Sequence, residues 1–202
     1  MSKCTRTLLA LASAAIMLSA LASAASANHL STSTRTARAT WTAMEFIEPF
    51  GQTVRCPVTL EGTLHSATIS KTPELLVGFI TRATVGTNSC SGGSATVLQE
   101  TLPWHLRYAG FTGTLPNMTA VIINTIGSAF RVRGPFGTCL FTSTTTQPTR
   151  GTYSLNTSHA VTGVAVSGTI TSNEGCGPFG ERITGSLRGN SATNTAQTIT
   201  LI

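Results

Sequence analysis

The chain has 202 residues, with 13 Lys+Arg against 7 Asp+Glu and a formal net charge of +6. That length fits one domain of ordinary size or a single large β-sandwich. The positive excess is mild and spread out, with no basic run and no aromatic interleaved with one, so no nucleic-acid partner is expected.

Residues 1–27 read as an export signal. Lys3 and Arg6 make a positive start, and Leu8 to Leu21 is an unbroken run of apolar and small residues. Ala22-Ser23-Ala24 and Ala25-Ser26-Ala27 both offer the small-x-small pattern of a cleavage site, with cleavage expected after Ala27. The run is shorter than the ~20 apolar residues of a spanning helix, and no later segment approaches that length. The mature chain is therefore expected to be soluble and secreted or held at the bacterial cell surface. Cys4 leaves with the signal, turning five cysteines into four.

Residues 28–40 are small and polar, and we read them as a flexible N-terminal segment or a ragged edge strand. A single all-β domain is expected over 41–202. Val54, Cys56, Val58, Leu60 and Leu64 alternate with polar residues, the pattern of a half-buried strand. Pro57 removes a ladder donor from that strand, which predicts a sheet edge. Leu102, Trp104, Leu106 and Tyr108 alternate with Pro103, His105 and Arg107, and Phe130 and Val132 with Arg131 and Arg133. The same period recurs at Val164, Val166 and Ile170, again at Ile183 and Leu187, and the chain closes on Ile199 and Leu201. Gly and Pro clusters punctuate these runs, and no window carries a helical stripe. Thr abounds, and β-branching favours extended backbone. The fold class is therefore all-β: a disulfide-stapled β-sandwich or barrel of about ten short, mostly antiparallel strands. A weak resemblance between Val58–Leu64 and Val164–Ile170 raises an internal duplication, with halves meeting near 142–150.

Cys56, Cys90, Cys139 and Cys176 form two similarly spaced pairs, which points to an oxidising compartment. Four cysteines allow three connectivities. We expect neighbours to pair, Cys56–Cys90 and Cys139–Cys176, because that keeps each staple within one group of adjacent strands.

Groups that could carry catalysis are scarce. His65, His105 and His159 are isolated, no Cys-x-x-Cys occurs, and no metal or cofactor is expected. There is no Gly-x-Ser-x-Gly elbow and no Asp to orient a base. A glycosidase would need two facing carboxylates, and Glu61 and Glu100 fall on outward or turn positions. A hydrolase is therefore disfavoured, and the protein is expected not to be an enzyme. Trp104, Tyr108 and Phe111 are either core or a platform at a barrel mouth for an apolar or sugar ligand. Arg107, Arg131 and Arg133 are candidate contacts to an anionic envelope polymer, since Arg presents fork-shaped donors; the competing role is protection of sheet edges.

The stretch Cys56-Pro57-Val58-Thr59-Leu60-Glu61-Gly62-Thr63-Leu64, the Cys90-Ser91-Gly92-Gly93 turn, Leu102-Pro103-Trp104 and Phe111-Thr112-Gly113-Thr114-Leu115-Pro116-Asn117 resemble a recurrent family of secreted actinobacterial proteins. The resemblance implies a secreted β-protein and transfers no functional residue. More distantly, the cysteine-strand-cysteine unit leading to Leu-Pro-Trp is similar to extracellular proteins described as activators of alkane oxidation. Two roles follow from the whole reading. The first is a non-enzymatic surface or matrix protein that engages an extracellular polymer. The second is a β-barrel carrier of a small apolar ligand.

Overall fold

The computed structural model describes residues 28–48, 51–86, 90–135, 137–171, 184–189 and 193–202. The signal-peptide expectation for 1–27 lies outside them, as does Cys176. The strands in chain order are β1 (His29–Thr32), β2 (Thr36–Ile47), β3 (Thr53–Leu64), β4 (Thr68–Ser70), β5 (Leu76–Val85), β6 (Ser94–Val97), β7 (Trp104–Thr114), β8 (Asn117–Ile126), β9 (Ala129–Gly134), β10 (Gly137–Thr142), β11 (Thr149–Leu155), β12 (Val161–Thr171), β13 (Thr184–Gly189), β14 (Thr193–Asn194) and β15 (Ile199–Leu201). The fold is all-β and antiparallel throughout. It has more strands than the ten expected, and β2 and β3 run to 12 residues each.

The large sheet follows the order β11-β8-β7-β5-β3-β2-β13-β12, and β12 then pairs back onto β11. Eight strands thus form an unbroken ring, so the two walls of the sandwich are the two sides of a barrel. Closure removes the free sheet edges that a flat arrangement would expose. The seam is narrow: Val166 pairs with Gly151 on one side and Gly189 on the other, and Ser167 with Arg150 and Arg188. Strands from both sides of 142–150 intermingle in the ring.

Each end of the barrel carries a cover. A small sheet, β15-β1-β4, sits over one end and buries Leu30, Ile69 and Ile199. At the other end β10, β9 and β6 continue from the tip of β12 as a ribbon. Its inner face places Phe130 and Phe141 on Phe46, at ring-centroid distances of 5.2 and 5.7 Å. Trp104 packs edge-on to Phe130 at 5.4 Å. Offset and edge-on pairs of this kind stabilise beyond their area alone.

Two sequence expectations are corrected by this arrangement. Residues 28–40 are not a tether but β1 and the first part of β2. Leu30 is fully buried there, and Thr36–Thr40 pair with Thr63–Thr59. Small polar residues serve because the barrel rim needs only β-forming backbone, not bulk. Nor is β3 an edge strand, since it lies between β2 and β5. Pro57 is tolerated because its hydrogen-bonding side faces the end of β5: its carbonyl oxygen accepts from Gly86 N at 2.9 Å, just past the last ladder pair Val58↔Val85, so the missing N–H falls outside that ladder.

The disulfide Cys56–Cys90 forms as expected, with an S–S distance of 2.05 Å. An isolated bridge between Arg55 and Ser91 lays the chain before β6 beside the start of β3, which brings the two sulfurs together. Cys139 is also disulfide-bonded. Close strand approach is enforced at Gly78, where a Cβ would run into the Thr63 carbonyl oxygen of the neighbouring strand.

Candidate ligand site inside the barrel

Inward-facing residues recur every second position along each strand. In the half of the barrel under the β15-β1-β4 cover, many of these residues are small. β2 contributes Ala37 and Ala39 and β11 contributes Gly151, each where a packed barrel would carry a large aliphatic, while Gly62 of β3 is held small by the Phe79 carbonyl oxygen of the next strand. The space they leave is an apolar cavity of about 70 Å³, counted over the positions open to the centre of a water molecule. The void out to the surrounding atom surfaces is larger. Leu60, Ile80, Leu106, Val121, Ile123 and Val164 line it, with Trp41 and Tyr153 as its aromatics. An unfilled void of this size costs about 2 kcal/mol in lost packing. A second pocket of about 20 Å³ lies toward the ribbon end, against Met44, Trp104, Phe130 and Leu187. Leu60, Thr125 and Val166 border both.

The polar groups on the cavity wall are few. Trp41 Nε1 donates to the Val164 carbonyl oxygen at 3.1 Å, so the indole is held across the barrel. Gln197 Nε2 donates to Thr34 O at 3.2 Å, and Thr32 Oγ1 to Ala67 O at 3.2 Å. Tyr153 differs. Its hydroxyl makes no hydrogen bond to any described residue, yet protein surrounds it, and burial pushes its phenol pKa up. The side chain keeps some accessible surface and lines the cavity. Arg35 and Arg38 stand exposed at the rim, where Arg38 Nε lies 3.5 Å from Glu61.

Of the two roles open to the aromatics, core and barrel-mouth platform, Trp104 and Tyr108 take the core one. Trp104 is 1 % exposed, donates its Nε1–H to Thr101 Oγ1 at 2.8 Å, and belongs to the ribbon end. Tyr108 is buried, and its phenol is also pushed up by burial. Phe111 is half-buried, with Lys71 Nζ 5.8 Å from its ring centroid. Sequence reasoning missed Trp41 and Tyr153. The signal for Tyr153 was present, since Gly151, Tyr153 and Leu155 alternate with Arg150, Thr152 and Ser154. A glycine on the apolar side of that alternation marks space.

The arginines do not form one face. Arg131 and Arg133 lie together on the outer side of the ribbon, paired with Thr96 and Ser94. Arg107 belongs to the barrel wall and is half-buried. Its Nη1 donates to the Glu74 carbonyl oxygen at 3.2 Å, beside Asn124, whose Nδ2 donates to Glu74 Oε1 at 3.0 Å. Register carries this outer row onward through Arg150, Ser167, Arg188 and Glu45 to Arg55. Glu45 takes hydrogen bonds from Arg188 at 2.7 Å and Arg55 at 2.9 Å, and these hold its carboxyl below the usual range. Glu61 is flanked in the same way by Arg38 and Arg82.

Of the histidines, His65 and His105 are exposed and flank Phe79 at 4.9 and 5.3 Å. No group of three or more metal-capable side chains gathers among the described residues. Among them too, no helix is long and apolar enough to cross a membrane. Glu48 is 3 % exposed, carries an unpartnered Oε1 against Gly134, and has its pKa raised by burial. No family model, curated protein or solved structure matches the chain.

Proposed function

We propose that this protein is a secreted, non-enzymatic β-barrel that holds one small, mainly apolar molecule in its interior. The observation that carries the reading is the apolar cavity enclosed by the strand ring and lined by Leu60, Val121, Ile123 and Val164. The interior of an eight-stranded barrel is just wide enough to be filled by side chains or to hold one small ligand. A purely structural sandwich gains from filling its core to close-packed density, and this one leaves small residues where large ones would fit. Export is supported by the N-terminal sequence pattern together with the Cys56–Cys90 disulfide. Polymer binding through an Arg face is less well supported, because Arg107 is tied into the barrel wall while Arg131 and Arg133 face outward from the ribbon.

A methyl NMR titration with benzene tests the reading. Shifts should concentrate on Leu60, Val121, Ile123 and Val164 and saturate, while the exposed Leu75 stays still. No saturable shift on any cavity methyl would sink it.

A further inference from the structure

Tyr153 is the one aromatic hydroxyl on the cavity wall, and it is uncommitted. The Tyr153 side chain is half-buried and its hydroxyl bonds no described residue, so its donor is free to meet a ligand atom. With its pKa pushed up by burial, the phenol stays protonated in neutral solution and offers a donor. The cavity also constrains the charge of what enters. The cations on its wall, Arg35 and Arg38, stand at the exposed rim, and Arg38 is engaged by Glu61. A carboxylate drawn down among Leu60, Val121 and Val164 would lose its water and gain no counter-charge.

We infer that the ligand is a small neutral molecule carrying a single hydrogen-bond acceptor that takes the Tyr153 Oη–H. This rests on the barrel-binding reading above and names the chemical class that the site selects. Gln197 and Thr32 are excluded as the selecting groups because their side chains already bond Thr34 and Ala67. Thr125, on the border of the two pockets, is another hydroxyl that makes no side-chain hydrogen bond to a described residue, and it serves as the control.

The test uses three probes that share a six-membered ring: methylenecyclohexane, its isostere cyclohexanone, and cyclohexanecarboxylate. Affinities are read by calorimetry and methyl NMR on the wild-type protein and on Tyr153→Phe and Thr125→Val. Cyclohexanone should bind wild type about threefold to tenfold tighter than methylenecyclohexane, the range of one net hydrogen bond. Tyr153→Phe should erase that preference while leaving methylenecyclohexane affinity unchanged, and Thr125→Val should retain it. The carboxylate should bind worst. Equal binding of the two neutral probes to wild type, a preference that survives in Tyr153→Phe, a preference lost only in Thr125→Val, or tightest binding of the carboxylate would each overturn the inference while leaving the barrel reading intact. Failure of every probe, with benzene also silent, would remove the barrel reading itself.

Discussion

Gly151→Ala is the most direct test of whether the cavity is real space. Gly151 is buried on β11 with ordinary strand dihedrals, and it faces inward between Ile123 and Val166. A Cβ placed there would lie 3.4 Å from Tyr153 Cε2 and 3.5 Å from Ile123 O, which is normal van der Waals contact. Two effects then act in the same direction. Removing a glycine lowers unfolded-chain entropy by about 0.4–1 kcal/mol where the backbone suits Ala. Burying one methyl contributes about 0.8 kcal/mol more. The variant should be roughly 1–2 kcal/mol more stable by urea denaturation, with an unchanged m value and a Tm raised by about 3–6 °C for a chain of this size. Its affinity for benzene should fall as the void shrinks. A destabilised variant would mean that the inner wall at β11 is already closely packed, and the cavity argument would collapse with it.

Replacing both Cys56 and Cys90 by Ala should cost about 3–4 kcal/mol, from the loop-closure entropy of a link between residues 34 apart, and should raise the urea m value as the unfolded chain expands. Reducing the native protein should cost more, because it also opens the disulfide that Cys139 makes, and a loss below about 1 kcal/mol in the double variant would contradict the entropic account. Glu48 has its pKa raised by burial, so its contribution is fully favourable while protonated and is lost as pH rises through the folded value. Glu48→Gln should therefore melt higher than wild type at pH 8 and match it at pH 4; parallel curves across that range would refute the assignment. Glu45 behaves oppositely. Its pKa is lowered, first by the Arg188 hydrogen bond and then by Arg55, so the stabilisation is present above the ordinary carboxylate range and is lost as pH falls through the folded value. Because both arginines are exposed, Glu45→Gln should cost less than about 1 kcal/mol at neutral pH, shrinking further in 1 M salt.

The elements were legible in this sequence and their closure was not. The alternation Trp104-His105-Leu106-Arg107-Tyr108 gave both the strand β7 and its inner face, and Phe130 and Val132 did the same for β9. What strand pattern cannot express is which distant strand supplies the partner. The ring depends on β2 meeting β13 through Glu45↔Arg188 and on β11 returning to β12, pairings that no local rule contains. Pro57 shows the same limit from the other side. A proline in a strand implies a missing ladder bond, but what accommodates it is where the neighbouring strand β5 stops, one pair short of Pro57 at Val58↔Val85. The cavity was missed for a related reason: Ala37, Ala39 and Gly151 look like weak core residues until the ring sets them around one space.

The narrow seam and the cavity bear on each other. Val166 pairs with both Gly151 and Gly189, so the strand that closes the barrel also supplies cavity wall, and its side chain faces the lumen. Next to it on the outer face, Ser167 is flanked by Arg150 and Arg188, and Arg188 is the residue clamped to Glu45 on β2. Only three register pairs join β13 to β2, from Ser186↔Ile47 to Arg188↔Glu45. A seam with so few backbone pairs relies on this external ion pair and on inner-wall packing to hold its two sides together. A molecule seated against Val164, Val166 and Tyr153 would instead add packing where β12 meets β11, whereas an empty lumen leaves that inner wall short of contacts. Ligand binding should therefore slow amide exchange first in β11 and β12, ahead of the β10-β9-β6 ribbon, which contributes no residue to the cavity wall.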